Sequence, residues 1–151
     1  MEFYRQYSVT VDDKGRIRLP AEIRKNISGE TLVLTKGLEK CLWLYLPEAW
    51  EDVSSVTRRK AGAYSSRVHR VVRRVIAPAT EVHIDKTGRV KLSLSLMKSV
   101  GISKSCYLIG MGQFLELWDE AALDANESEH SSEVQETWEG FAGESSSENS
   151  L

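Results

Sequence analysis

The stretch VDDKGRIRLP, residues 11–20, returns 73 residues later as IDKTGRVKLS, residues 84–93. Each copy has an Asp, a short polar turn with a Gly, and an Arg that opens an apolar–polar alternation. Laid over each other at that offset without a gap, residues 7–50 and 80–123 share ten identities in 44 positions, among them Asp12/Asp85, Gly15/Gly88, Arg16/Arg89 and Leu19/Leu92. Repetition at a fixed period is the mark of a duplicated supersecondary unit. A unit of about 45 residues buries too little surface to fold well alone. The chain is therefore expected to pack its two units against each other as a pseudo-dimer.

Each unit reads as β-β-α-β-β. YSVTV alternates at period two and is rich in β-branched residues, as a half-buried strand requires. DDKG is a turn: Asp bonds to backbone N–H groups two residues on, and Gly accepts positive φ. RIRL is a second strand, and PAEIRKNI a short helix with Pro20 at its first position. TLVLTKG and KCLWLYLP complete the first unit. TEVHI, DKTG, RVKL, SLSLMKSVG, CYLIGMG and FLELWD repeat the layout. The expected class is mainly β with short helices. Residues 1–50 form the first unit, 51–78 a helical connector, 79–123 the second unit and 124–151 an acidic, disordered tail.

Two helices are expected in the connector, with a break near Gly62. The second runs from about Ser65 to Ile76, with Val68, Val71, Val72 and Val75 at helical spacing and Arg67, Arg70, Arg73 and Arg74 between them. That basic face is either simply solvated or a phosphate contact. The tail is rich in Ser and Glu and poor in aliphatic residues. Trp138 and Phe141 within it are either incidental or a small docking element.

Charge is segregated. Residues 1–123 hold all 20 Lys and Arg with 14 Asp and Glu, whereas residues 124–151 hold eight acidic residues and no basic one. A basic body with an acidic tail suits a nucleic-acid binder. The tail would then compete with non-specific DNA for the body.

No catalytic constellation emerges. His69, His83 and His130 lack a partner at metal-ligand spacing, and no Gly-rich phosphate loop or nucleophile elbow occurs. Asp12 and Asp13 do not suggest a metal, because the second copy places Lys86 beside Asp85. Cys41 and Cys106 lie among apolar neighbours and read as buried, unreactive thiols. No enzyme activity, cofactor, metal or small-molecule substrate is expected. No apolar run spans a membrane and the N-terminus lacks a signal-peptide core, so a cytoplasmic protein is expected.

The repeated phrase itself has two readings. Asp12 and Arg16 could simply pair across a turn and hold a hairpin in register. Yet cations gather at both turns: Lys14, Arg16 and Arg18 in one, Lys86, Arg89 and Lys91 in the other. On alternating strands Arg16 and Arg18 share one side, as do Arg89 and Lys91. Such faces can meet phosphates, and an Arg fork can read guanine.

With those residues in view, the chain resembles the MraZ family of bacterial transcriptional regulators, whose mark is a D-x-x-x-R motif in each of two AbrB-like units. The resemblance rests on DDKGR (12–16) and DKTGR (85–89), and on LTKGLEKCLWLY (34–45), RVVRRVIAPATEVHID (70–85) and GMGQFLELWD (110–119). It implies paired swapped-hairpin β units and rings of about eight to twelve chains. It also implies binding to direct repeats in double-stranded promoter DNA of the division and cell-wall gene cluster, mainly as a nucleoid-associated repressor. Arg16 and Arg89 become the leading DNA contacts, supported by Lys14 and Lys86, with Asp12 and Asp85 aiming them. The chain departs from the family pattern at Arg5, where a Gly is expected, and at Ser93, which replaces Pro20 of the first copy. The competing reading is a ring-forming scaffold or protein-interaction module without specific DNA binding. An AbrB-fold antitoxin fits less well, because the duplication lies within one chain.

Overall fold

The computed structural model describes residues 2–62 and 65–149. They divide at Glu120/Ala121 into a duplicated body and a helical C-terminal unit. The body contains β1 (Gln6–Thr10), β2 (Arg16–Arg18), α1 (Ala21–Lys25), β3 (Thr31–Lys36) and β4 (Cys41–Tyr45). The connector follows as α2 (Pro47–Lys60), α3 (Ser66–Val71) and a π-helical turn at Val72–Ile76. Then come β5 (Thr80–His83), β6 (Arg89–Lys91), α4 (Leu94–Ser99), β7 (Ser105–Gly110) and β8 (Phe114–Asp119). This is the mixed α+β class, with two repeats of β-β-α-β-β.

The two repeats exchange strands. One six-stranded antiparallel sheet runs β1-β7-β8-β4-β3-β5, and a separate ribbon pairs β2 with β6. The first strand of each repeat thus lies at an edge beside the third strand of the other. Replacing each strand by its counterpart returns the same order reversed, so a pseudo-twofold axis passes between β4 and β8. It crosses the sheet at the Trp43–Glu116 pair and the ribbon at the Ile17–Val90 pair.

The gapless offset of 73 is corrected in one place. Strands β1/β5, β2/β6 and β4/β8 keep it. In the sheet, however, Val9 pairs Cys106 while its counterpart Val82 pairs Leu32, which makes Leu32 equivalent to Cys106 and Leu34 to Leu108. The second repeat therefore has one extra residue between β6 and β7 and one fewer in the β7–β8 turn. A slip of one residue would turn every side chain of β7 to the wrong face. The extra residue restores Cys106 and Leu108 to the core, where they are 1% and 0% exposed.

Leu32, Leu34, Leu42, Leu44, Leu108, Leu115 and Leu117 line the inner face of the sheet. Ile17 and Val90 face them from the ribbon, and Ile23, Leu96 and Met97 from the short helices. Pro20 caps α1 from just outside the helix instead of occupying its first turn. Ser93 caps α4 with its hydroxyl, which accepts from Leu96 N–H at 3.4 Å. On the outer face Tyr45 stacks on Phe114, ring centroids 4.9 Å apart. The Glu116 carboxylate accepts from the indoles of Trp43 (2.9 Å) and Trp118 (3.0 Å).

The first connector helix begins at Pro47, ahead of the residue 51 expected, and runs to Lys60, and Ser65 is the N-cap of α3. The π turn brings the Val75 carbonyl to Thr35 Oγ1, which donates to it at 2.5 Å. Arg74 is a strut: its guanidinium donates to the Gly37 and Glu39 carbonyls, both at 2.8 Å, and ties the connector to the β3–β4 turn. Both thiols are free and buried. Burial pushes the Cys106 thiol up to about 11. Burial and the neighbouring Glu116 carboxylate hold the Cys41 thiol far above its ordinary range.

The N-terminal segment explains the departure at Arg5. Arg5 has φ 73°, in the left-handed region that glycine occupies without cost. Its guanidinium pairs with Glu22 at 2.8 Å, but this pair is exposed and offsets little. Arg5→Gly is expected to raise stability by about 0.5–1 kcal/mol, because a left-handed side chain costs about 1–2 kcal/mol and glycine gives some of that back as unfolded-state entropy. A lower urea midpoint for Arg5→Gly would show that the Glu22 pair outweighs the backbone term.

In the C-terminal unit, the tail expected to be disordered is helical: α5 (Glu120–Glu129) and α6 (Ser131–Asn149). Composition suggested disorder because α6 has no aliphatic stripe to bury, and every side chain described from 131 to 144 is indeed exposed. Among the described residues, no helix is long and apolar enough to cross a membrane.

Candidate nucleic-acid interface

Both D-x-x-x-R turns are built by the same local bonds. Asp12 Oδ1 accepts from the N–H groups of Lys14 and Arg16, each at 2.9 Å. Asp85 Oδ1 accepts from Thr87 and Arg89 N–H, again at 2.9 Å. The turns close through Asp12 N–H to the Arg16 carbonyl (2.8 Å) and Asp85 N–H to the Arg89 carbonyl (2.9 Å). Gly15 (φ 76°) and Gly88 (φ 79°) take the left-handed corner, which a side chain would strain.

The exchange of strands then merges two turns into one site. In the ribbon Arg16 stands opposite Lys91 and Arg18 opposite Arg89. Residues directly opposite in an antiparallel pair share a face, so all four cations lie on the same side. Ile17 and Val90, both 0% exposed, hold the other side against the core. Each ribbon end is locked to the opposite turn: Leu19 N–H donates to the Gly88 carbonyl (2.9 Å) and Leu92 N–H to the Gly15 carbonyl (2.8 Å).

The four charged motif residues form one cluster. Arg16 Nε lies 3.0 Å from Asp12 Oδ2, and its Nη1 lies 3.8 Å from Asp85 of the other repeat. Arg89 Nε lies 4.0 Å from Asp12. The Arg89 guanidinium also donates to Thr87 Oγ1 at 2.8 Å, and Thr87 donates to Asp85 at 2.6 Å. Asp12 therefore aims its Arg directly, whereas Asp85 acts through Thr87. Sequence reasoning missed Thr87, although it occupies the third position of the motif. Arg16 and Arg89 keep about a third of their side chains exposed, 32% and 31%, so they are restrained without being hidden. Lys14, Arg18, Lys86 and Lys91 are exposed and form no ion pair among the described residues. Lys14 and Lys86 are not equivalent by symmetry, since Lys14 corresponds to Thr87 and Lys86 to Asp13.

Six cations thus face three carboxylates, Asp12, Asp13 and Asp85. Among the described residues no group of His, Cys, Asp or Glu could hold a metal ion. What the arrangement offers chemically is an array of N–H donors on a twisted ribbon.

Backbone hydrogen bonds from Arg16 and Lys14 to the carboxylate hold Asp12 below the usual carboxylate range. For Asp85 the Thr87 hydroxyl is the main cause, followed by Arg89 N–H. A carboxylate lowered on folding stabilises above its unfolded pKa, and that contribution is lost as pH falls through the folded value. Asp12→Asn is therefore expected to lower the urea midpoint at pH 7, with the deficit shrinking once pH drops below about 4. A deficit that stays constant down to pH 3 would show that turn geometry matters and charge does not.

The chain is similar to known proteins over most of its length. A family model described as "MraZ protein, putative antitoxin-like" matches residues 3–66 and 75–142. The chain is 39% identical over 114 residues to the Transcriptional regulator MraZ of Treponema denticola, covering 76% of this chain and 79% of that one. It is 38% identical to its counterpart in Treponema pallidum over 119 residues, 79% and 80% of the two chains. With that of Mesoplasma florum it shares 33% identity over 136 residues, 90% and 92% of the two chains.

Proposed function

The chain belongs to the MraZ family, and from that premise we propose that it is a sequence-specific DNA-binding transcriptional regulator that reads DNA through the β2–β6 ribbon. The observation that carries this reading is the convergence of Arg16, Arg18, Arg89 and Lys91 on one exposed face. Two strands about 4.8 Å apart, with their side chains, fit a major groove about 12 Å wide. In that groove Arg16 and Arg89 contact base edges, and Lys14, Arg18, Lys86 and Lys91 contact phosphates. The relatives named above are called transcriptional regulators, which supports DNA as the partner and regulation as the outcome.

One ribbon is small, with three residues in each strand. Affinity then comes from several copies on successive direct repeats, since linked sites raise avidity without new contacts. A closed head-to-tail ring of about eight to twelve chains supplies that arrangement, and the target is the promoter of the division and cell-wall gene cluster, where binding represses.

Fluorescence anisotropy tests this with DNA from upstream of the protein's own gene against scrambled DNA. Specific binding is expected to exceed non-specific binding by at least about 10³-fold near physiological salt, and both are expected to weaken steeply as salt rises. Equal, weak binding to both DNAs would put the scaffold reading first.

A further inference from the structure

On the DNA-binding reading above, on which this rests, we infer that Arg89 is the leading base reader of the ribbon. Thr87 is the residue that positions it, and Arg16 serves mainly as the clamp between the two turns. The turns are alike in backbone: Asp12 and Asp85 brace equivalent pairs of N–H groups, all at 2.9 Å. They differ at the third motif position. Lys14 stands there in the first turn, and an ammonium group can only donate hydrogen bonds. Thr87 stands there in the second, and a hydroxyl both donates and accepts. Thr87 Oγ1 donates to Asp85 Oδ1 at 2.6 Å and accepts from Arg89 Nη1 at 2.8 Å. It is a relay from carboxylate to guanidinium that Lys14 cannot reproduce in the first repeat.

The two arginines are therefore held by partners of unequal strength. Exposure does not rank them, at 32% for Arg16 and 31% for Arg89. Their partners do. Arg16 Nε lies 3.0 Å from the Asp12 carboxylate, and its Nη1 lies 3.8 Å from Asp85 of the other repeat. A base edge approaching Arg16 competes with two carboxylates, and charge-assisted hydrogen bonds are about twice as strong as neutral ones. Arg89 donates to a neutral hydroxyl at 2.8 Å and meets the Asp12 carboxylate only at 4.0 Å. A guanine approaching Arg89 has less to displace. One Nη1 proton is spent on Thr87, and a guanidinium has five N–H donors, so enough remain for a bidentate pair with guanine O6 and N7. An arginine already ordered in the free protein also loses less rotamer freedom on binding.

The test is fluorescence anisotropy on the full chain, read as the ratio of affinities for promoter and scrambled DNA. Thr87→Val keeps the branched shape and removes the hydroxyl. Thr87 is exposed and its N–H bond to Asp85 does not involve the side chain, so the turn survives. Thr87→Val is expected to lower the ratio by about 2–10-fold, the cost of ordering one arginine on binding. Thr87→Ser, which restores the hydroxyl, is expected to return most of it. Beside Arg89→Ala, Thr87→Val is expected to change the ratio by less than about 2-fold, because the side chain it positions is gone. Arg89→Ala is expected to lower the ratio more than Arg16→Ala does. A Thr87→Ser ratio no better than that of Thr87→Val would overturn the inference while leaving DNA binding in place. So would a Thr87→Val effect as large beside Arg89→Ala as alone, or a greater loss from Arg16→Ala than from Arg89→Ala. A wild-type ratio near one would overturn the DNA-binding reading and this assignment together.

Discussion

Arg16→Ala and Arg89→Ala are each expected to weaken binding to promoter DNA by about 5–150-fold, the equivalent of about 1–3 kcal/mol for removal of a bidentate hydrogen-bond pair to a base. Both are expected to relax sequence preference as well. The reason is restraint. Arg16 is held at 3.0 Å by Asp12, and Arg89 at 2.8 Å by Thr87, so each guanidinium reaches DNA with less rotamer entropy to lose. Lys14→Ala and Lys86→Ala should behave differently. They weaken specific and scrambled DNA alike and lower the slope of log K against log salt by about 0.9 for each phosphate no longer neutralised. The double arginine variant should lose less than the sum, because both guanidinium groups lie within 4.0 Å of the same Asp12 carboxylate. Stability should change by no more than about 1 kcal/mol, as these pairs are partly exposed. Undiminished binding by well-folded variants would reduce the motif to a hairpin clamp.

Gly110→Ala is expected to cost about 2–3 kcal/mol of stability, close to the loss of one buried aromatic side chain. A Cβ at Gly110 would lie 2.5 Å from Phe3 C and Tyr4 N and 2.6 Å from Tyr4 Cα. These are backbone atoms, so the N-terminal segment itself has to lift. With it go the paired bonds between Phe3 and Gly112, at 2.7 and 2.8 Å, and the Gly110 N–H bond to Arg5 at 2.8 Å. Phe3, only 2% exposed, leaves the core. The freed residues regain backbone entropy, which offsets part of the loss. Urea unfolding of a double-mutant cycle checks the mechanism. Phe3→Ala should be costly in the wild-type background and nearly silent beside Gly110→Ala. A Phe3→Ala cost that is the same in both backgrounds would mean that the strap stays docked.

Much of the site was legible in the chain because its forces are local. Asp12 captures N–H groups two and four residues away, and Gly15 and Gly88 take corners closed to other residues, so the turns follow from residue type alone. Ile17 and Val90 alternate with cations, which announces one buried and one wet face. Thr87 escaped because a hydroxyl inside a turn looks like any polar filler until an arginine is seen folding back on it. The helices of the tail were not legible for a related reason: Ser and Glu promise no core, but they do not forbid a helix.

By itself the sequence determined the duplicated β-β-α-β-β unit, the helical connector, the two Asp-braced turns and the alternation that sends Arg16, Arg18, Arg89 and Lys91 to polar faces. Only the tertiary structure decided that β1 pairs with β7 and β5 with β3, that the second repeat slips by one residue before β7, and that β2 meets β6. The physical reason is range. Hydrogen bonds within a turn and period-two alternation span a few residues and name a face, but not the strand that will lie beside it. Partner choice follows from burying Leu34, Leu44, Leu108 and Leu117 together, across distances in sequence that no local pattern encodes. That burial is what turns two separate Asp–Arg phrases into one cationic ribbon.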